Sequence, residues 1–462
     1  MSNAVDVSKA PSGSPLSGLE RAELSMFVLA KPSSGRLVVH PVEAEKEFGH
    51  EIASRLKRTP DGAYICWPQP SDDIDDPLNW SSRRKNIVLT VYCLAAFVPD
   101  FSIALGVPAL FNLAEQFGVT TEEINDLCVS PLYFRTIRLN LFESRATNWP
   151  VFLLGLYCLL GVMDANSCSS ILWAAAWGGV FSIAMISRFG RLPVLFWSQV
   201  LGTAFLIGAT LARSLRVFAA MRALQAFEAR KLNIWTYAFL LSPYISPLIG
   251  NFIVASGVTW RWVFGFGCIY EGLVVIAICL FGEETLYLRR SGISSPKLGK
   301  SPWQRIATLL GVSGFRIMKS TPLPSWIVTF ARPVMVQIRP VMVLMSAYIA
   351  MTFAWTVGIN TTLVVFLQSP KPFGYAFDGK RVSAIYVTPL VATSIGQVIG
   401  HYTNDYSARK YIANHNGVFE PEARIPLAYV AGLLMIAGQI LLGLYASAPR
   451  ALDFSFHFKL MG

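Results

Sequence analysis

The stretch SRFGRLPVL, residues 187–195, joins two strongly apolar segments of the chain. Its two arginines, Arg188 and Arg191, are costly to place in hydrocarbon, so this short turn must lie at a membrane face. Cytoplasmic loops of membrane proteins carry an excess of Lys and Arg, which puts the turn on the cytoplasmic side. The stretch therefore predicts a membrane protein that crosses the bilayer several times.

The composition of the 462-residue chain points the same way. Hydrophobic residues make up 53% of the chain and charged residues 15%, whereas soluble proteins carry about 25% charged residues. The net charge of +11 is assigned to cytoplasmic loops, because no basic cluster is interleaved with aromatic residues as in nucleic-acid-binding proteins. We therefore expect a lipid bilayer, and not nucleic acid, as the main partner.

No motif for enzymatic chemistry is legible in the sequence. The five histidines form no ligand-spaced pair, and the seven cysteines match no zinc or disulfide framework. No phosphate-binding loop of an ATP-driven pump is present. We predict no metal, no cofactor and no enzymatic activity, and a membrane-embedded enzyme is the weakest of the functions considered.

Apolar and basic segments predict an all-α polytopic fold with a six-span first half and a truncated second half. A span needs about 20 residues to cross about 30 Å of hydrocarbon. In chain order the predicted parts are a cytoplasmic, disordered tail (1–85), a first half-bundle (86–283), a cytoplasmic central loop (284–340), a partial second half-bundle (341–447) and an atypical C-terminal tail (448–462).

The number of crossings follows from which basic turns share a side of the membrane. Lys85 and Arg188 must both be cytoplasmic, so the short segment 151–163 is not expected to cross, whereas 214–227 is expected to cross despite its length. The good candidates for spans are 86–111, 171–186, 192–211, 234–257, 262–282, 341–367, 382–400 and 427–447. The odd total would leave the C-terminus outside the cell.

Four stretches carry a family resemblance, and their order is more specific than any one of them. They are ISRFGRLPV (186–194), RALQAF (222–227), SPYISPLIG (242–250), and WRWVFGFGCIYEG with EETLY (260–272 and 283–287). They resemble the signature loop, the fourth-span arginine motif, the fifth-span antiporter motif and the close of the first half in the major facilitator superfamily. DPLNW (76–80) and FEPEARIPL (419–427) narrow the resemblance to fungal drug:proton antiporters of twelve spans.

The basic residues Arg83, Arg84 and Lys85 before the first apolar run predict a cytoplasmic N-terminus. The resemblance implies a multi-pass protein of the plasma membrane that works as a monomer. It implies that two half-bundles rock about a midplane site and exchange a small organic solute, such as a drug-like or polyamine cation, for protons. The chain departs from the pattern because Ser187 stands where many relatives carry an acid, and because segments near 227 and 448 look incomplete. The alternative function is a membrane protein that does not transport, either a sensor or a truncated or mis-spliced relative.

Three charged residues within spans are candidates for proton coupling. The resemblance links Arg222 to this role; snorkelling of its side chain to an interface is the alternative. Asp100 and Glu271 are the acids best placed to titrate within the membrane. The alternatives are a polar position near the outer surface for Asp100 and a structural pairing with an arginine for Glu271.

The two motif loops and the later spans supply further candidates. Arg188, Gly190 and Arg191 would bias the gate between the halves, or the arginines would only fix the topology. A bend and close helix contact, or plain small-residue packing, explains the antiporter-like residues Pro243, Pro247 and Gly250. The candidates for a substrate cavity, or alternatively for interhelical packing, are Trp355, Asn360, Tyr386 and Gln397.

Overall fold

The computed structural model of the chain consists almost entirely of α-helices, and the predicted all-α fold is confirmed. It describes residues 37–59, 61–66, 69–70, 76–121, 124, 181–182, 184–229, 236–285, 302–312, 315, 325–370 and 374–447. The predicted segment 151–163, most of 171–186 and the tail 448–462 lie outside these residues. The chain forms two compact units, one of residues 74–395 and one of residues 1–73 with 396–462.

The helices and the two short strands follow one another with few long connections in the described parts. In chain order they are β1 (Leu37–Val38), α1 (Pro41–Phe48), α2 (His50–Arg55), α3 (Ser82–Ala104), α4 (Leu110–Phe117), α5 (Arg191–Leu211), α6 (Leu215–Ala229), α7 (Thr236–Ala255), α8 (Arg261–Phe281), α9 (Pro302–Leu309), α10 (Trp326–Gln337), α11 (Pro340–Gln368), α12 (Gly379–Ile385), α13 (Val387–Asn414), β2 (Val418–Phe419) and α14 (Ile425–Ser447). Single turns of 3₁₀ helix at Pro77–Asn79 and Pro421–Arg424 precede α3 and α14.

Several helices have the length and apolar character that a membrane span requires. In the described part of the chain five segments qualify, or six if the bent pair of α10 and the start of α11 counts as one span. The five are Ser82–Ala104, Arg191–Leu211, Arg261–Phe281, Gly379–Asn414 and Glu422–Leu442. The chain is therefore a multi-pass membrane protein, as predicted.

In the larger unit, α3 packs against α7 and α8, and α5 packs against α6 and α8. Aromatic side chains from three of these helices and from the turn before α8 form the centre of its core. Phe101, Phe218, Trp260 and Phe264 are all at most 4% exposed, and the rings of Phe218 and Phe264 meet edge to face at 5.6 Å. This core brings the ends of α3, α6 and α8 together.

Most predicted spans agree with helices to within two residues, namely 192–211, 234–257, 262–282, 341–367 and 427–447. The prediction of one helix over 86–111 is wrong, because α3 ends at Ala104 and a turn at 105–109 separates it from α4. Pro108 explains the break, since proline lacks a backbone N–H and disfavours helical geometry at the preceding residue.

The helical region that contains the predicted span 382–400 is longer than that span. A one-residue break after Ile385 divides the predicted span between α12 and α13, and α13 continues to Asn414, past the predicted end of the span at residue 400. The helix ends where Asn416 and Gly417 adopt positive φ angles of 52° and 78°. Polar residues therefore extend this helix well past its apolar part.

Two segments predicted to lack regular structure contain helices. The central loop 284–340 holds α9 and α10; Pro302 stands at the first position of α9, where proline is tolerated, and α10 accommodates Pro333 in its interior. The tail 1–85 was expected to be disordered, yet residues 37–66 form β1, α1 and α2 with a small apolar core. The sequence did not predict these helices because they are short, with at most 12 residues, and prolines lie within or beside several of them.

Candidate functional site

Arg222 lies on α6 and is buried, with 1% of its surface exposed. Its Nη1 and Nη2 atoms donate hydrogen bonds to the backbone oxygens of Ser102 and Ile103, each at 2.8 Å. These carbonyls belong to the last turn of α3, where a helix provides no backbone donors for its C=O groups. The structure thus places Arg222 against the end of α3 and does not support snorkelling to an interface.

Glu271 of α8 lies in the same buried region, also with 1% of its surface exposed. Its Oε1 atom accepts a hydrogen bond of 3.1 Å from Gln225 Nε2 and another from Ser102 Oγ. The Oε1 atom of Gln225 in turn accepts a bond of 2.6 Å from Arg222 Nη1. We call these four residues, Ser102, Arg222, Gln225 and Glu271, the polar cluster.

The two carboxylate oxygens of Glu271 differ in their hydrogen bonds. Its Oε2 atom is buried and has no hydrogen-bond partner among the residues that the structure describes. Burying a charged oxygen without a partner is costly, whereas the same oxygen can carry a proton when the acid is neutral. The position therefore suits an acid that takes up and releases a proton.

Asp100, the second predicted acid, is also buried, with 7% of its surface exposed. It lies two residues before Ser102 on α3, and residues two positions apart on a helix do not share a face. The structure thus buries all three predicted proton-coupling residues, on α3, α6 and α8, and it connects Arg222 with Glu271 through Gln225.

Sequence reasoning missed Ser102 and Gln225, the uncharged members of the polar cluster. Gln225 follows Arg222 by three residues, and this spacing places both side chains on one face of α6. A second polar side chain within the arginine motif therefore indicated that Gln225 could interact with the same partners as Arg222. Ser102 gave no such signal, because a serine in a span is common and its partner Glu271 lies 169 positions later.

The signature turn is built around Gly190, whose φ angle is +97°. A Cβ atom at this position would meet the side chain of Glu284. The backbone N–H groups of Arg191 and Leu192 donate hydrogen bonds of 3.1 and 3.0 Å to the two carboxylate oxygens of Glu284. Glu284 therefore caps the first turn of α5, where a negative charge is favourable.

The predicted arginines of this turn make other contacts. The guanidinium of Arg191 donates to Thr285 Oγ1 at 3.3 Å, and that of Arg188 lies 4.7 Å from the centre of the Trp326 ring. Ser187, which replaces the expected acid, donates a bond of 2.7 Å to the backbone oxygen of Ala184. The signature turn thus has no acid of its own, and Glu284, which follows the end of α8, takes that place at the start of α5.

The end of α8 is held by arginines from two other segments. Arg305 of α9 donates hydrogen bonds to the backbone oxygens of Cys279 and, at 3.2 Å, Gly282. Arg84, at the start of α3, forms an ion pair of 2.5 Å with Glu283. The helix that carries Glu271 is therefore fixed at its C-terminal end to α3, α5 and α9.

The antiporter-like motif lies on α7, which contains both Pro243 and Pro247. Proline has no N–H, so Pro247 leaves the backbone oxygen of Pro243, four residues earlier, without its helical donor. The Nδ2 atom of Asn360 on α11 donates to this oxygen at 3.1 Å. Gly250 supports close contact as well, since a Cβ atom there would overlap Pro108.

The four cavity candidates are not shown to form one site. Asn360 and Tyr386 do meet, because the Tyr386 hydroxyl donates to the backbone oxygen of Asn360 at 2.9 Å. Gln397 is exposed and belongs to the smaller unit, and the side chain of Trp355 lies outside the described part of the chain. Asn360 and Tyr386 are thus in contact with each other, and their part in a substrate cavity or in interhelical packing stays a prediction.

Curated proteins similar to the chain are fungal transporters. The MFS-type transporter mpsC of Macrophomina phaseolina is 25% identical over 411 residues, which cover 84% of this chain and 70% of that protein. The MFS transporter fsa7 of a Fusarium species is 24% identical, with coverage of 83% and 69%. The efflux pump radE of Floropilus chiversii is 20% identical, with coverage of 83% and 66%. No family model matches the chain, and no solved structure does.

Proposed function

This chain belongs to the major facilitator superfamily, and from that premise we propose that it is a proton-coupled secondary transporter of a small organic solute. Its similarity to transporters agrees with the prediction that it is not an enzyme. We place it in the plasma membrane with its N-terminus in the cytoplasm. A drug-like or polyamine cation is the proposed substrate class, and similarity to the efflux pump radE supports the export of a solute.

The observation that carries the proposal is the buried carboxyl of Glu271 within the polar cluster. One of its oxygens is held by neutral donors and the other has no partner in the described structure. An acidic residue within a span normally faces a cavity or pairs with other polar groups, and such residues mark the pathways of protons or substrates. Protonation of Glu271 would remove a buried charge, and deprotonation would be favoured when the cycle opens the site to water.

The polar cluster also gives proton movement a route to the helix ends. A change of charge on Glu271 alters its bonds with Ser102 and Gln225, and Gln225 shares its amide with Arg222. Arg222 in turn holds the last turn of α3. The charge state of one carboxyl is thereby linked to contacts among three helices of the first half.

Reconstituted protein in proteoliposomes tests this proposal directly. A panel of quaternary ammonium and polyamine cations is added outside vesicles that hold an imposed pH gradient, and proton movement is followed with an entrapped pH-sensitive dye. We expect at least one cation to release protons in exchange, and the exchange to stop when an ionophore collapses the gradient. Glu271→Gln should abolish exchange while the protein remains folded.

Glu115→Gln on α4 is the matched control, because Glu115 is exposed and lies outside the polar cluster. It should leave the exchange unchanged. Exchange that survives Glu271→Gln would contradict the role of Glu271. Folded wild-type protein without exchange of any cation would favour the second candidate, a membrane protein that does not transport, for which Ser187 at the position of an expected acid is the supporting feature.

A further inference from the structure

The N-terminal segment of the chain pairs with a connection between two late helices. β1 and β2 form a two-stranded antiparallel sheet in which Leu37 lies opposite Phe419 and Val38 lies opposite Val418. β2 belongs to the connection between α13 and α14, and β1 precedes the first long helix α3. The two strands are separated by almost the whole chain, so their pairing is a specific long-range contact.

Backbone hydrogen bonds around Gly417 make the contact selective. The N–H groups of Val39 and His40 donate to the Gly417 oxygen at 3.1 and 3.3 Å, and Ile65 N–H donates to the Val39 oxygen at 2.9 Å. Gly417 has a φ angle of +78°, and a Cβ atom there would overlap His40. Only glycine meets both requirements, since other residues rarely adopt this angle.

Val418 completes the apolar core of the N-terminal segment. It is 3% exposed and packs with five buried side chains from residues 38–65. These five are Val38, Ala44, Ala53, Leu56 and Ile65. A segment of about 30 residues is too small to form a stable core alone, so burial of a side chain from elsewhere in the chain contributes directly to its folding.

The connection receives an equivalent benefit from the segment. The apolar windows of the two helices that flank it, Gly379–Asn414 and Glu422–Leu442, are only 17% and 0% buried within the protein. Packing against other described helices therefore contributes little to fixing this helical pair. The N-terminal segment instead contacts the connection between α13 and α14: β1 pairs with β2, and apolar side chains of the segment bury Val418.

We propose that residues 37–66 form a docking module that clamps the connection between α13 and α14, and that it holds the N-terminus and this connection on one face of the membrane. The clamp sets the conformation of residues 415–420 through β pairing, the Gly417 bonds and burial of Val418. Two strands that pair directly cannot lie on opposite sides of a bilayer, so an even number of crossings separates them.

A disulfide between opposed strand positions tests the clamp in the full-length protein. Leu37→Cys is combined with Phe419→Cys, because Cα atoms of opposed residues in antiparallel strands lie about 4.5–5.5 Å apart, within the range that a disulfide permits. A specific protease site inserted after residue 295 then separates the two halves of the chain. We expect mild oxidation to keep the fragments together on a non-reducing gel, in membranes as well as in detergent.

Leu37→Cys with Glu422→Cys is the matched control pair, since Glu422 is exposed and lies out of register. The control pair and each single-cysteine variant should separate after cleavage. Equal cross-linking of both pairs, or no cross-linking of the Leu37–Phe419 pair in well-expressed protein, would overturn the proposal.

Gly417→Ala provides a second measurement that leaves the membrane helices intact. It should reduce cross-linking of the Leu37–Phe419 pair several-fold, whereas Gly432→Ala on α14, where a Cβ atom meets nothing within 4 Å, should not. Separate Tyr64→Cys and Glu422→Cys variants should react equally with a membrane-impermeant maleimide, either both in intact cells or both only after permeabilisation. Labelling from opposite sides would also overturn the clamp.

Discussion

At the scale of single residues, Gln225 is the neutral link between two charged groups. Its amide oxygen accepts a hydrogen bond from Arg222, and its amide nitrogen donates one to Glu271. A charged side chain, or one that can only donate or only accept, cannot make both bonds. A carboxylate at this position would repel Glu271, and an ammonium would repel Arg222. The amide therefore lets an arginine and an acid share one buried site.

Gln225→Leu should lower the free energy of unfolding by about 1–3 kcal/mol for each buried partner group that it leaves unpaired. Unfolding of purified protein in mixed detergent micelles, followed by tryptophan fluorescence, measures the change. Gln199→Leu on α5 is the control, because Gln199 is also buried and its Oε1 atom already lacks a partner among the described residues. An equal loss in both variants would contradict the bridging role.

Gly190 offers a second prediction at this scale. Gly190→Ala should destabilise the protein by about 1–3 kcal/mol, because a non-glycine residue at a φ angle of +97° is strained and its Cβ atom displaces Glu284 from the start of α5. The midpoint of thermal unfolding is the measurement.

Gly202→Ala, inside the helix α5 that follows Gly190, is the matched control for Gly190→Ala. A Cβ atom at Gly202 meets nothing within 4 Å, and alanine is favoured over glycine inside a helix. The control should therefore leave the unfolding midpoint unchanged or raise it. A loss of stability in the control as large as that of Gly190→Ala would show that the strained turn is not the cause.

At the scale of elements, two prolines turn α7 into a surface that binds another helix. Pro247 frees the Pro243 oxygen, and Asn360 of α11 takes the place of the missing donor. The hydroxyl of Tyr386, in the break between α12 and α13, reaches the backbone of the same asparagine. The motif thus acts in this chain by offering a backbone acceptor across a helix interface.

A double-mutant cycle on Asn360 and Pro247 measures this contact. Asn360→Ala alone should cost about 1 kcal/mol, because it leaves the partly buried Pro243 oxygen without a donor. In a Pro247→Ala background the helix regains its own N–H donor, so the same substitution should cost less, with a coupling of about 1 kcal/mol. Additive effects in the unfolding titration would contradict the proposed replacement of the donor.

The elements show where sequence reasoning succeeds and where it fails. Long apolar stretches such as 192–211 and 262–282 predicted helices almost to the residue, because the bilayer fixes both their length and their composition. Glu284 was not recognised as the cap of α5, since its partner amides lie more than 90 positions earlier and no local pattern records such a contact. The module at 37–66 was missed because its core depends on distant Val418.

The polar cluster lies between these cases. Arg222 and Glu271 stand out in the sequence as charges within apolar segments, and both were predicted as functional candidates. Their connection through Gln225 depends on how α6 and α8 pack, which the sequence of either helix does not specify. A charge inside a span can be recognised from a single position, whereas the bridge through Gln225 depends on the relative placement of two helices.

At the scale of the whole molecule, the clamp and the helix count together predict on which side each terminus lies. If residues 37–66 and the connection before α14 share one face, the segment after α14 must lie on the other face, because α14 is the next crossing. Its 23 residues span about 35 Å, enough to cross the hydrocarbon of a bilayer. This agrees with the odd total of crossings obtained from the basic loops.

Epitope tags at the two termini test this topology in intact cells. A tag before Met1 should bind antibody only after permeabilisation, because Arg83, Arg84 and Lys85 hold the start of α3 in the cytoplasm. A tag after Gly462 should bind antibody without permeabilisation, and a control tag in the basic segment 286–300 should behave like the first. Two inaccessible termini would mean an even number of crossings, and the number assigned to residues 86–283 or to the later helices would then be wrong by one.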